Sequence, residues 1–249
     1  MKQTSPTSTP LRGDDGGSAP APIAIASPQS EISLWWISLS PTVDSGPLTT
    51  ELSDTERERM QRFATDVLRD RYLIGRTALR RLLGRTLGVE SAAVPIERGP
   101  RGRPQLTGIQ GIDFNVSHTT DAALIAIARG VKVGVDVERA DRSIHSLGIA
   151  RKFLTERERA ALPSSDPDGA RRRILRLWTC KEALSKATGD ALSAPFRRLD
   201  VEIEPSLRLA DGPAPYDPRD FALFAAEVPT SHFATIAVWR QNNGAATRA

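Results

Sequence analysis

The pentapeptide Thr-Glu-Arg-Glu-Arg occurs twice, at Thr55–Arg59 and again 100 residues later at Thr155–Arg159. Each copy precedes a long stretch of helical, arginine-flanked sequence. A recurrence at this spacing points to two related α+β halves that arose by duplication. Coincidence between two charged helix starts is the competing explanation. A chain of 249 residues accommodates one large domain or two small ones, and it is long enough to bury a core without staples.

The punctuation of the chain divides it into three segments. Residues 1–30 hold five Pro, three Gly, five Ser and three Thr and lack apolar periodicity, so a disordered tail is expected there. Residues 31–129 read as an N-terminal α+β half, and residues 130–249 as a C-terminal one. Glu31–Leu39 has the character of a strand. Ser53 and Glu56 form a capping-box signature, and helical sequence runs from there, with a break, to Leu87 and Gly88. Gly99-Pro-Arg-Gly-Arg-Pro104 is a rigid basic turn. Ile112–Val116 and Ala122–Ala128 read as strands around a polar turn. Val131–Glu138 alternates at strand period. Thr155 opens a helix, and Ala170–Thr188 is a strong helix closed by Gly189. Val201–Ile203, Phe221–Val228 and Phe233–Trp239 are expected to be closing strands.

Several classes are excluded. Cys180 is the only cysteine, so no disulfide can form within the chain, which fits a reducing cytoplasm. It reads as an inert, partly buried thiol. The longest apolar runs, such as Ala122–Ala128, are about seven residues, and a membrane-spanning helix needs roughly 20. The N-terminus has no apolar stretch of signal-peptide type.

Four constellations carry chemistry. In Gly134-Val-Asp-Val-Glu138, strand geometry places Asp136 and Glu138 on one face, with Cα atoms about 7 Å apart. Two such carboxylates either converge on a cation or form a solvated acidic face opposite the valines. In the helix Ala170–Thr188, Ile174, Leu177, Trp178 and Leu184 form an apolar arc, and Lys181 falls inside it. An ammonium there must snorkel or find an anion. Glu182 and Lys186 sit together at the arc's edge, as a surface pair or as part of a site. Lysine is scarce in this chain, five residues against 29 arginines, and two of the five lie in this helix. Third, Phe114-Asn-Val-Ser117-His118 ends a strand, where binding residues collect, with no GxSxG elbow and no metal-ligand histidine spacing. Last come the arginines: Arg59, Arg62, Arg69 and Arg71 on the first helical stretch, and Arg101 and Arg103 in the basic turn. Guanidinium forks suit a phosphate-rich ligand or nucleic acid, and a solvated helix face also accounts for them.

Phe114–His118, Gly134–Glu138, Phe153-Leu-Thr-Glu-Arg-Glu and Trp178-Thr-Cys-Lys-Glu-Ala-Leu-Ser-Lys186 with Gly189, in this order, resemble the 4′-phosphopantetheinyl transferase superfamily. The type is the larger, two-halved, Sfp-like one. The ordered set spans roughly 75 residues, and the Arg-Gly-Arg-Pro turn and arginine-rich helix extend it. The resemblance implies an α+β fold of two similar halves related by a pseudo-twofold axis. It implies transfer of 4′-phosphopantetheine from coenzyme A to a serine of an apo acyl or peptidyl carrier protein. Adenosine 3′,5′-bisphosphate is released with Mg2+ assistance. By the same resemblance, Asp136, Glu138 and Glu182 in the C-terminal half hold the metal, and Glu182 and Lys186 are catalytic. Lys186, Ser117, His118, Arg101, Arg103, Arg59 and Arg71 contact coenzyme A. Lys181 becomes a site-facing or structurally paired residue and Trp178 a core residue. The expected protein is a cytoplasmic monomer that binds neither nucleic acid nor membrane. The competing classes are an arginine-rich nucleic-acid-binding protein, invited by the pI of about 9.6 but opposed by a net charge of only +4, and another Mg-dependent nucleotide transferase.

Overall fold

The computed structural model describes residues 20–40, 46–99, 101–143 and 146–241. In chain order the elements begin with β1 (Ile23–Ile25), β2 (Ile32–Ser38), α1 (Asp54–Gln61) and α2 (Asp66–Leu87). Next come β3 (Ile96–Arg98), β4 (Pro104–Leu106), β5 (Ile112–His118), β6 (Ala122–Arg129) and β7 (Lys132–Arg139). The chain continues through α3 (Ser146–Phe153), α4 (Glu156–Ala160) and α5 (Pro167–Thr188), and closes with β8 (Asp200–Glu202), β9 (Arg208–Asp211), β10 (Phe221–Ala225) and β11 (His232–Trp239).

Two antiparallel sheets organise the molecule. One has the order β1-β2-β6-β5, the other β10-β11-β7. The hairpins β3–β4 and β8–β9 are separate ladders. Both long helices span 22 residues, start at a side-chain N-cap (Thr65, Asp166) and end at a left-handed glycine (Gly88, Gly189). Such a glycine closes the last turn without a Cβ clash. α2 covers one face of the larger sheet through Ile74, Ala78, Leu82 and Leu83 against Ile37, Phe114 and Ile125. α5 packs its buried face, with Ile174, Leu177, Ala183 and Leu184, into the C-terminal core with Leu199, Val201 and Ala237. A third cluster lies between the sheets, where Ile32, Leu34, Leu124 and Ala126 meet Val133, Val135, Val137 and Ile236. β6 is therefore apolar on both faces, which explains its uninterrupted run of apolar residues.

The edges of the two sheets are joined by side chains. β5 and β7 are not paired in either ladder. Instead Asp113 accepts the Val133 N–H at 2.9 Å, Asn115 the Val135 N–H at 3.0 Å, and Ser117 the Val137 N–H at 3.2 Å. Three acceptors spaced two residues apart satisfy three alternate donors of an edge strand.

The structure corrects two expectations. Residues 20–30 are not all tail, because β1 pairs antiparallel with β2 in the register Ile23↔Trp36. A three-residue strand inside Pro- and Ser-rich sequence has too little pattern to be read; residues 1–19 lie outside the described residues. The repeated pentapeptide also differs from the structural repeat. Ser53 and Thr155 are the two N-caps, each with a complete capping box, so Thr55 in the first copy lies within the helix while Thr155 in the second caps it. The identical letters are offset from the equivalent roles by two residues.

Candidate active site

Gly134 explains why β7 and α5 meet closely. A Cβ on it would lie 2.0 Å from the Ala183 carbonyl oxygen and 2.5 Å from the Ala187 nitrogen. Only a glycine admits that approach. Asp136 and Glu138 follow it on the same face at strand period, and Glu182 and Lys186 flank Ala183 and Ala187 on the helix. The small residues thus bring two charged pairs together.

Lys186 Nζ donates to Asp136 Oδ1 at 2.6 Å and to Ser117 Oγ at 3.0 Å. Ser117 Oγ–H donates to the same Asp136 oxygen at 2.8 Å. Asp136 is 5% exposed, and its Oδ2 makes no hydrogen bond among the described residues. Glu182 Oε1 is likewise buried without a partner. Burial first, and then the neighbouring Asp136 charge, pushes the Glu182 carboxyl up to about 7. Burial and Asp136 also raise Glu138, against the pull of Arg142 and a hydrogen bond from Trp178. Arg142 forms an ion pair with Glu138. His118 ends β5 at the rim of this cluster. Desolvation by the surrounding protein, aided by the Lys186 charge, holds its pKa below the usual range.

The arginines divide by how far the protein engages them. Arg103 makes a bidentate pair with Asp113, at 2.9 and 2.7 Å, and donates to the carbonyls of Phe114 and Val133 at 3.2 and 2.9 Å. It braces the β5–β7 joint. Arg101 is exposed and pairs with Asp190 just beyond α5. Arg59 is exposed and lies over the Tyr72 ring, 5.8 Å from its centroid. Arg71 is half-buried with an unpartnered, buried Nε.

Lys181 takes the structural alternative. It is fully buried, pairs with Glu158 at 2.7 Å, and donates to the carbonyls of Phe153 and Phe196 at 2.9 and 2.7 Å. Trp178 packs against Phe153 and Phe196, with ring centroids 4.5 and 5.7 Å away. It also lines a groove of about 250 Å³ with Arg142, Lys152 and Leu192. Cys180 is buried, and burial raises its thiol to about 11, as befits an inert group. Asp113, Asn115 and Arg142 were missed in the sequence. The spacing Asp113-x-Asn115-x-Ser117 is a polar face at strand period and could have flagged the first two. Arg142 carries no such signal.

Two family models and several curated proteins match this chain. Residues 132–227 match the model of the 4′-phosphopantetheinyl transferase superfamily, and residues 43–129 that of the 4′-phosphopantetheinyl transferase N-terminal region. The chain is 33% identical over 191 residues to the 4′-phosphopantetheinyl transferase HetI of a Nostoc species, a match covering 75% of this chain and 80% of that one. It is 26% identical over 168 residues to the 4′-phosphopantetheinyl transferase Sfp of Bacillus subtilis, covering 66% and 74% of the two chains. An L-aminoadipate-semialdehyde dehydrogenase-phosphopantetheinyl transferase of Xenopus laevis is 29% identical over 161 residues, covering 60% and 53%.

Proposed function

The chain belongs to the 4′-phosphopantetheinyl transferase superfamily, and from that premise we propose how its own residues carry out the reaction. It is an enzyme that transfers phosphopantetheine from coenzyme A to carrier proteins. The observation that carries the residue assignment is the pair of buried, unpartnered carboxylate oxygens, Asp136 Oδ2 and Glu182 Oε1, beside Lys186.

Orphaned anionic oxygens in a desolvated place require a cation or a proton. Among the described residues no group of three or more His, Cys, Asp or Glu is gathered as a finished metal site. Lys186 pairs with Asp136 and Arg142 with Glu138. The donor set is all oxygen and suits magnesium, which keeps waters and takes substrate phosphate as further ligands. The residues fit, and Asp136, Glu138 and Glu182 would hold the ion. When bound, magnesium supplies Lewis-acid stabilisation of charge on the phosphoryl oxygens.

Lys186 contacts the pyrophosphate and balances the charge that grows there. Ser117 and His118 border a coenzyme A phosphate, with Ser117 aiming Lys186. Arg101 and the turn braced by Arg103 border the adenine and 3′-phosphate end. Arg59 and Arg71 add phosphate contacts. Oγ of the carrier serine bonds to the β-phosphorus. The bond from that phosphorus to the bridging oxygen breaks, and the oxygen leaves with adenosine 3′,5′-bisphosphate. Glu182 takes the serine proton.

Both halves border one site within a single chain, so we propose a monomer. No helix among the described residues is long and apolar enough to cross a membrane, and with a lone buried thiol we propose a cytoplasmic enzyme. Glu182→Gln tests the assignment. Transfer should fall roughly 10²–10⁴-fold while the calorimetric Kd for coenzyme A, measured in chelator, changes by less than about threefold. Equal losses in both would remove Glu182 from the chemistry.

A further inference from the structure

Lys186 Nζ sits 2.6 Å from Asp136 Oδ1 and 3.0 Å from Ser117 Oγ. Ser117 is saturated: its proton goes to Asp136, and it also accepts the Val137 N–H. The ammonium is therefore held by a built cradle. Lys186 lies in the last turn of α5 with its side chain 24% exposed, and a four-carbon stem lets the head leave without moving the helix.

Resting on the reading above, we propose that Lys186 is a resident counter-cation that holds the metal position until coenzyme A draws it away. A divalent ion on Asp136 would place two positive centres a few ångströms apart, where a low effective dielectric makes repulsion large. Metal alone therefore binds weakly. Coenzyme A offers the ammonium a second anion, its pyrophosphate. Once Lys186 turns to it, Asp136 Oδ1 regains one acceptor position beside the unpartnered Asp136 Oδ2 and Glu182 Oε1. Linkage makes the effect reciprocal, so metal and coenzyme A each tighten the other. Lys186 acts here as a positioning and selectivity residue, in addition to its contact with the pyrophosphate.

Mn2+ binding to the full chain, read from the free-ion electron paramagnetic resonance signal, tests this without any turnover. Wild type, Lys186→Gln, Lys186→Met and Asp136→Asn are titrated with and without coenzyme A, after circular dichroism identifies the folded variants. Wild type should bind Mn2+ alone weakly and gain roughly 5- to 150-fold with coenzyme A. The folded Lys186 variants should bind Mn2+ alone roughly 5- to 50-fold more tightly than wild type and lose most of that gain. Equal or weaker Mn2+ binding by the Lys186 variants overturns the proposal. Asp136→Asn separates the two failures. If it binds Mn2+ as wild type does, the metal assignment itself is wrong. If it loses Mn2+ while Lys186 variants match wild type, only the counter-cation role falls.

Discussion

Lys181 and Lys186 lie five residues apart on one helix and meet opposite environments. Lys181 is 0% exposed and bound to Glu158, the capping-box residue of α4. Removing one member leaves a buried charge unpaired, so Lys181→Met should cost about 3–5 kcal/mol in denaturant unfolding. Adding Glu158→Gln should recover part of that loss, and turnover per folded molecule should stay near wild type. Glu182 yields a pH signature. Its carboxyl is held near 7 when folded, against 4.5 ordinarily, so the neutral form favours the native state. That contribution is complete below the unfolded value and is lost as pH rises through about 7. Thermal melts in chelator should therefore fall between these limits relative to Glu182→Gln, by at most about 3 kcal/mol, and magnesium together with coenzyme A should remove the difference. Parallel curves would contradict it. The scarcity of lysine pointed to this helix. The helical wheel set Lys181 inside the apolar arc and Lys186 at its edge, but it could not name Lys181's partner, which lies on another helix.

At the element scale, β7 and α5 meet with no room for a side chain at Gly134. Gly134→Ala would drive a methyl against the α5 backbone, and the helix carrying Glu182 and Lys186 must retreat. A loss of about 1–3 kcal/mol in stability is expected, with a larger fall in kcat/KM than stability alone accounts for. The β5–β7 joint gives a second test. Asn115→Ala strands the buried Val135 N–H, which should cost about 1–3 kcal/mol and speed hydrogen exchange at that amide. Strand alternation made Asp136 and Glu138 readable as one face, and Gly88 and Gly189 made the ends of both long helices readable, whereas the N-caps Thr65 and Asp166 went unread and α5 starts at Pro167, three residues before the expected Ala170. The joint was hidden because it is a long-range contact between two edges, and β3, β4 and β9 because they are three or four residues long, whereas β8 was expected within one residue of its place.

At the scale of the molecule, the two long helices begin and end 101 residues apart, from Asp66–Leu87 to Pro167–Thr188. The same offset relates the buried cations, Arg80 on Glu56 at 2.5 Å and Lys181 on Glu158 at 2.7 Å. Carried to the strands, it pairs Trp35 with Asp136 and Ile37 with Glu138, and on the helices Arg81 with Glu182 and Arg85 with Lys186. At these positions the N-terminal segment has apolar and basic residues where the C-terminal one has its acids, so the acids of the candidate site come from the C-terminal segment. The pentapeptide echo made the two halves legible, although its letters mark slightly different positions. Intact-mass spectrometry of an apo carrier protein incubated with the chain, coenzyme A and magnesium tests the central claim most directly, using carriers from fatty-acid, polyketide and nonribosomal-peptide assembly. One phosphopantetheine group should be gained, only with magnesium, and lost with Asp136→Ala. No gain on any carrier, with no coenzyme A binding by calorimetry, would contradict the account.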